Sequence, residues 1–202
     1  PLNSNDFSSL LLQAQASGAK VIGIANSGSD LANVIKQAKE FGITDAGQRL
    51  APLGIQINAV HGIGMDATQG LVISSAAYWD LNDETRAFAK RYGAAFQNRV
   101  PNESQMVTHS AVTHYLKSVT AAGSDEGEAV MARMRELPVT DMLVKDVKIR
   151  EDGVVMRPML KAKIKAPAES KYPWDYYQIL GTIAAEDAWR PLSESTCPLV
   201  KK

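Results

Sequence analysis

One cysteine in 202 residues leaves no internal disulfide framework. Cys197 is open between a free thiol and a partner outside this stretch. Long apolar runs are missing, so the sequence predicts no bilayer-spanning helix. Neither charge is in excess. The 22 basic and 22 acidic residues cancel, which argues against a nucleic-acid surface. The three histidines come with no HExxH, CxxC or EF-hand loop, so no metal is expected. His109 and His114, on one predicted helix, do not face each other. No serine sits in a G-x-S-x-G elbow, and no P-loop or dinucleotide fingerprint is present, so no cofactor is expected. Asp83-Glu84, Asp125-Glu126 and Glu151-Asp152 read as caps, helix-start charges and a turn, not as an acid–base pair. These absences weigh against an enzyme. The chain also lacks an initiator methionine and a signal peptide before Pro1, and so reads as a processed, cut or trimmed product.

What is present is ordinary globular composition, 45% hydrophobic and 22% charged. Phe7, Leu10, Leu11 and Ala14 recur at helical spacing, with Ser4 or Asn5 as N-cap and Gly18 as stop. Lys20 to Ala25 is a short apolar run, expected as a strand buried on both faces. Leu31, Val34, Ile35, Ala38 and Phe41 form the next helical stripe, ended by Gly42. Leu53 to Ile57 and Leu71 to Ala76 read as further strands. Alternating helices and strands with tight loops predict a parallel, doubly wound α/β sheet.

The second half reads differently. Asn82 or Asp83 caps a helix carrying Phe88, Tyr92 and Phe96. A long stripe follows through Val107, Ala111, Val112, Tyr115, Leu116 and Val119, stopped by Gly123. Ser124 is the expected cap of a third helix, carrying Val130, Met134 and Leu137 and ended by Pro138. Lys145 onward reads as a hairpin with its turn at Asp152-Gly153. Leu160, Ala162 and Ile164 alternate with lysines, so one face of that strand is wet. From Ala166 the proline-rich tail is expected to wrap the surface rather than form core.

Three places carry candidate chemistry, each with a bland alternative. Asn26-Ser-Gly-Ser29 sits where a strand feeds a helix. Its N–H groups either bind an anion or simply cap the helix. Tyr78-Trp79 ends a strand, where ligands of open α/β sheets lie. The pair either grips a ligand or anchors the chain. His61 is expected in a glycine-bearing loop after the second strand, as a ligand contact or as a plain hydrogen-bonding residue.

Several stretches carry a resemblance. Pro1-Leu-Asn-Ser-Asn-Asp-Phe-Ser-Ser9, Ala19-Lys-Val-Ile-Gly-Ile-Ala-Asn26 and Ala67-Thr-Gln-Gly-Leu71 are three of them. Tyr78-Trp-Asp-Leu-Asn-Asp83, Met131-Ala-Arg-Met-Arg-Glu-Leu137 and Ile149-Arg-Glu-Asp-Gly153 follow. Trp174-Asp-Tyr-Tyr177 and Arg190-Pro-Leu-Ser-Glu194 complete the set. In this order they resemble the C-terminal portion of ABC-importer substrate-binding proteins of the branched-chain amino acid (leucine-binding-protein-like) family.

The resemblance implies a periplasmic-binding-protein-like type I fold, with two doubly wound lobes joined by hinge crossovers. Residues 1–78 would belong to the C-terminal lobe and 79–82 to a hinge crossing. Residues 83–157 would belong to the N-terminal lobe. Residues 158–202 would form a return crossing, a C-terminal-lobe strand and a surface tail. Most of the N-terminal lobe would be missing, supplied by a retained fragment, by a second chain, or by the rest of an intact protein. The implied location is periplasmic or otherwise extracytoplasmic. The implied partners are a small-molecule ligand and a membrane ABC permease, with no nucleic acid. The same fold also serves as a ligand-sensing domain of receptors or regulators.

Ligand positions carry over as Asn26, Ser27 and Gly28 in one cleft loop and Asn58 and His61 in a second. Tyr78 is near the cleft, and Ser104 or Gln105 approaches it from the other lobe. Amino-acid binders of the family often place an acidic residue in the second loop to hold the ligand ammonium. Asn58, Ala59, Val60 and His61 offer none. A ligand without an ammonium, such as an aromatic or aliphatic carboxylate or an amide, is therefore expected to fit better.

Overall fold

The computed structural model describes residues 4–200; Pro1 to Asn3, which open the first resembling stretch, lie outside them. The elements run α1 (Ser8–Ala16), β1 (Val21–Ile24), α2 (Gly28–Glu40), β2 (Arg49–Pro52), α3 (Ile57–Ile63), α4 (Met65–Thr68) and β3 (Val72–Ser75). Then come α5 (Asp83–Ala95), α6 (Glu103–Ala122), α7 (Gly127–Glu136), β4 (Met159–Ile164), β5 (Tyr177–Ile183) and α8 (Ala185–Ala188). The chain divides into two compact units. One holds residues 4–75 and 161–181, the other 76–160 and 182–200.

In the first unit, β1 pairs in parallel with β2, and β3, β4 and β5 form a second sheet in that order. Amphipathic α2 supplies much of the core. Leu31, Val34, Ile35 and Ala38 are all buried, as their spacing predicts, and Gly42 ends the helix region with a left-handed φ of 63°. β4 keeps the predicted alternation, with Leu160, Ala162 and Ile164 buried. Four expectations change here. Asp6, not Ser4 or Asn5, satisfies the start of α1, accepting from Ser8 N at 2.8 Å. β1 is not buried on both faces: it pairs with β2 at the edge of its sheet, and Val21 is 55% exposed. The second strand lies at Arg49–Pro52, not Leu53–Ile57. Ile57 and Val60, three apart, turn inward from α3 instead. The tail is not all surface wrapping, because Tyr177–Ile183 pairs onto β4 as β5, and Tyr176 and Tyr177 are buried.

Inside this unit the Asp175 carboxylate is buried. It accepts from Lys165 Nζ and, at 3.0 Å, from Lys171 N.

The second unit is helical. Asn82 caps α5 through a reciprocal pair: its side chain accepts from Thr85 N, and Thr85 Oγ1 accepts from Asn82 N. Phe88, Tyr92 and Phe96 line one face as their spacing requires, with neighbouring ring centroids 6.3 and 5.5 Å apart. α6 behaves unexpectedly. It buries Met106, Ser110, His114 and Ser118, while the more apolar Val112, Tyr115 and Leu116 are exposed. The reason is its neighbours. α7 packs on the His114 part of this stripe, where His114 Nε2 lies 2.9 Å from the Met134 carbonyl, while Met106 packs with Ala77 and with Phe88 of α5. α7 is capped by Glu126, whose carboxylate accepts from Glu128 N and Ala129 N; Ser124 only accepts from Glu126 N. The predicted hairpin contracts to isolated antiparallel bridges, Val139 with Val147 and Ile149 with Val155. Its turn holds: Gly153 N donates to the Arg150 carbonyl, and Arg150 pairs with Asp152 at 2.7 and 2.8 Å. That guanidinium keeps the Asp152 carboxyl below the ordinary carboxylate range.

Candidate functional site

In parallel sheets, ligands sit beyond the carboxyl ends of the strands, because only there do the loops and helix starts converge. In the first unit that end is built by β1 and β2. Their register pairs Ile24 with Pro52, and Leu53 N donates to the Ile24 carbonyl at 2.9 Å. One further step therefore sets Leu53 beside Ala25, next to Asn26. Ser27 is the extended N-cap of α2, and its side chain makes no capping hydrogen bond. Its carbonyl instead accepts from Leu31 N at 3.3 Å. Gly28 has φ +59°, yet a Cβ there would meet nothing within 4 Å, so the glycine is required by its backbone and not by crowding. The anion reading of this turn has a competitor. Asp30, buried in the first turn of α2, already puts a carboxylate at the positive end of the helix.

Asn58 and His61 lie on helix α3, not in a loop. Three residues apart, they share a face. The His61 ring stacks on Trp174 with centroids 4.1 Å apart, and Nδ1 lies 2.7 Å from the Tyr176 hydroxyl. Burial raises the Tyr176 phenol above its ordinary range. Trp174 adopts a left-handed φ of 68°, an uncommon conformation for a bulky residue. His61 is thus tied to the segment before β5, a partnership the sequence reading missed. The sequence signal was the aromatic cluster at Trp174-Asp-Tyr-Tyr177, and no local rule links it to a histidine 113 positions earlier.

In the second unit Tyr78 is buried, with its ring edge-on to Trp79 at 6.1 Å. Trp79 packs on the cluster of Ala77, Phe88 and Met106. Ser104 is exposed at the start of α6, on a groove of about 760 Å³ lined also by Phe88, Tyr92, His109 and Leu116. So Asn26, Ser27 and Gly28 come together with Leu53. Asn58 and His61 form a separate pair on α3. Tyr78 and Ser104 are placed in the other unit. Cys197, half-buried, has no second cysteine in this chain to pair with. Among the described residues no cluster of potential metal ligands occurs, and no helix is long and apolar enough to cross a membrane.

Residues 1–171 match a family model described as periplasmic binding protein. A periplasmic binding protein from Burkholderia mallei is 44% identical, with a TM-score of 0.91 over 100% of this chain and 53% of its own. A branched-chain amino acid ABC transporter periplasmic ligand-binding protein from Burkholderia xenovorans LB400 is 37% identical. Its TM-score is 0.88 over 100% of this chain and 54% of its own. The solute-binding protein of an R. palustris ABC transporter, solved with benzoate, shares the fold at 19% identity. Its TM-score is 0.75, over 91% of this chain and 48% of its own. No curated protein matches the chain. The chain spans about half the length of these solved relatives.

Proposed function

Since the chain belongs to the periplasmic binding protein family, we propose that it is part of the extracytoplasmic solute-binding component of an ABC importer. In this role it captures a small organic solute and hands it to a membrane permease. The observation that carries this reading is likeness along the entire chain, at 44% identity, to a periplasmic binding protein. The relatives it matches are solute-binding proteins and not enzymes. In this reading residues 1–78 form part of one lobe and 83–157 part of the other, with a crossing at 79–82, and 158–202 supply a return crossing, a strand of the first lobe and a surface tail. Capture works by hinge closure, a motion for which periplasmic binding proteins are themselves the standard example. The solute contacts assigned in this reading are Asn26, Ser27, Gly28, Asn58 and His61 on the first unit and, taken separately, Tyr78 and Ser104 on the second.

Paired variants test the site. Asn26→Ala removes an amide at the end of β1, and Tyr78→Phe removes a hydroxyl while keeping the buried ring. Losing one polar contact to a solute corresponds to about 1.4 kcal/mol, tenfold in affinity. Calorimetric titration of the full-length protein should show each variant about tenfold weaker, with its melting temperature nearly unchanged. Loss of thermal stability without loss of affinity would make these residues anchors of the fold and nothing more.

A further inference from the structure

We propose that Trp189 is a positioning residue for solute capture. Its indole staples the segment returning from β5 to the segment that leads into β4, so that these two chain crossings bend as one ribbon. The inference rests on the solute-binding reading above and adds how its closure is controlled.

The chain passes from the second unit to the first within β4, between Leu160 and Lys161. It passes back within β5, between Gly181 and Thr182. β4 and β5 are hydrogen-bonded neighbours, so the two passages form one ribbon. Where a ladder ends, its strands fray unless something ties them. Here both ends are tied. At the first-unit end, Lys165 N donates to the Tyr176 carbonyl at 2.8 Å, and the Lys165 ammonium meets the buried Asp175 carboxylate. At the second-unit end, Trp189 Nε1 donates to the Arg157 carbonyl at 2.7 Å, across 32 residues of sequence. The acceptor is held firmly. Arg157 is 6% exposed, its N–H donates to the Val155 carbonyl at 2.8 Å, and Pro158 fixes the next φ. The donor is aimed by α8, through Trp189 N on the Ala185 carbonyl at 3.2 Å. Arg157 and Trp189 both belong to the second unit, so closure need not break the bond.

With the staple in place, β4 and β5 leave the second unit at one separation and turn together. Closure then has one path of torsions to fix. Without it, each passage samples its own conformations, and the unclosed ensemble widens. A solute that binds the closed form then draws on a smaller closed fraction, and its apparent affinity falls by that fraction. The loss is the same for every solute, because Trp189 acts on the equilibrium and touches no solute. That common factor separates a positioning residue from a solute contact, and it separates both from a residue that only supports the fold.

Two variants of the full-length protein remove the indole N–H. Trp189→Phe keeps a ring, and Trp189→β-(3-benzothienyl)alanine keeps nearly the whole shape. Calorimetric titration with benzoate and with L-leucine should show each variant about threefold weaker, by one factor for every probe that binds, as part of the roughly fivefold that one net hydrogen bond is worth. Small-angle X-ray scattering of each unliganded variant should give a larger radius of gyration than the wild type, restored to the wild-type value by a saturating probe. Unchanged affinity or unchanged unliganded scattering in both variants overturns the staple, even where the melting temperature falls, and leaves the solute-binding reading standing. Factors that differ between the two probes overturn it as well, because they make Trp189 a solute contact. Failure of the wild-type protein to bind either probe counts against the solute-binding reading, and the unliganded scattering alone then decides the staple.

Discussion

Asp175→Ala is expected to destabilise the protein by about 3 kcal/mol, at the lower end of the cost of breaking a buried ion pair. The Asp175 side chain is almost wholly buried, and it receives both the Lys165 ammonium and Lys171 N. Removing it leaves Lys165 without its counter-charge and an amide without its acceptor. The cost stays near the lower end because Lys165 keeps partial contact with water and its long stem allows the ammonium to move outward. Lys165 also follows β4 directly and donates its backbone N–H to the Tyr176 carbonyl at 2.8 Å, so the pair ties β4 to the entry of β5. Asp175→Asn keeps an acceptor for Lys171 N and should lose less than Asp175→Ala. The double variant Lys165→Met with Asp175→Ala should be more stable than the sum of the single losses, because no charge is then left alone. Denaturant midpoints across this cycle measure the coupling. Strict additivity would mean that the pair contributes nothing.

A comparable loss is expected at Ile35→Ala, about 3 kcal/mol, from lost transfer energy together with the cavity left behind. Ile35 is fully buried, in the middle of the stripe that α2 presents to the core. The informative control is Leu53→Ala, the same kind of aliphatic truncation on an exposed residue, which should stay within about 0.5 kcal/mol. A large loss at Leu53 would show that its side chain supports the fold despite its exposure.

Where one local rule decides the outcome, the sequence was legible. The α2 stripe, the Asn82 cap, the stop at Gly123, the turn at Gly153 and the alternation in β4 all follow from periodicity or from one residue's conformational preference. The failures share a different cause. α6 carries two possible stripes, and apolarity favours Val112, Tyr115 and Leu116, yet packing against α5 and α7 selects Met106, Ser110, His114 and Ser118. A helix does not encode which neighbour it will meet. β2 was misplaced because Leu53 to Ile57 is the more apolar run, whereas pairing with β1 uses Arg49 to Pro52. That shift of frame hid the site most. It moved His61 from a loop to a helix and turned Leu53 from a core residue into an exposed one. The family resemblance, carried by order and motif, was unaffected by such local slips, and the family-model match agrees with it.

Amide hydrogen exchange of the full-length protein, with and without whichever of benzoate and L-leucine binds more tightly, tests solute capture at the strand ends most directly. Binding should slow exchange at Asn26 to Gly28 and at Leu53 to Gln56, with a smaller effect along 79–82 as the hinge closes, and little change on exposed α7. Unchanged exchange in both strand-end loops at saturating solute would contradict it, as would protection confined to the groove between α5 and α6.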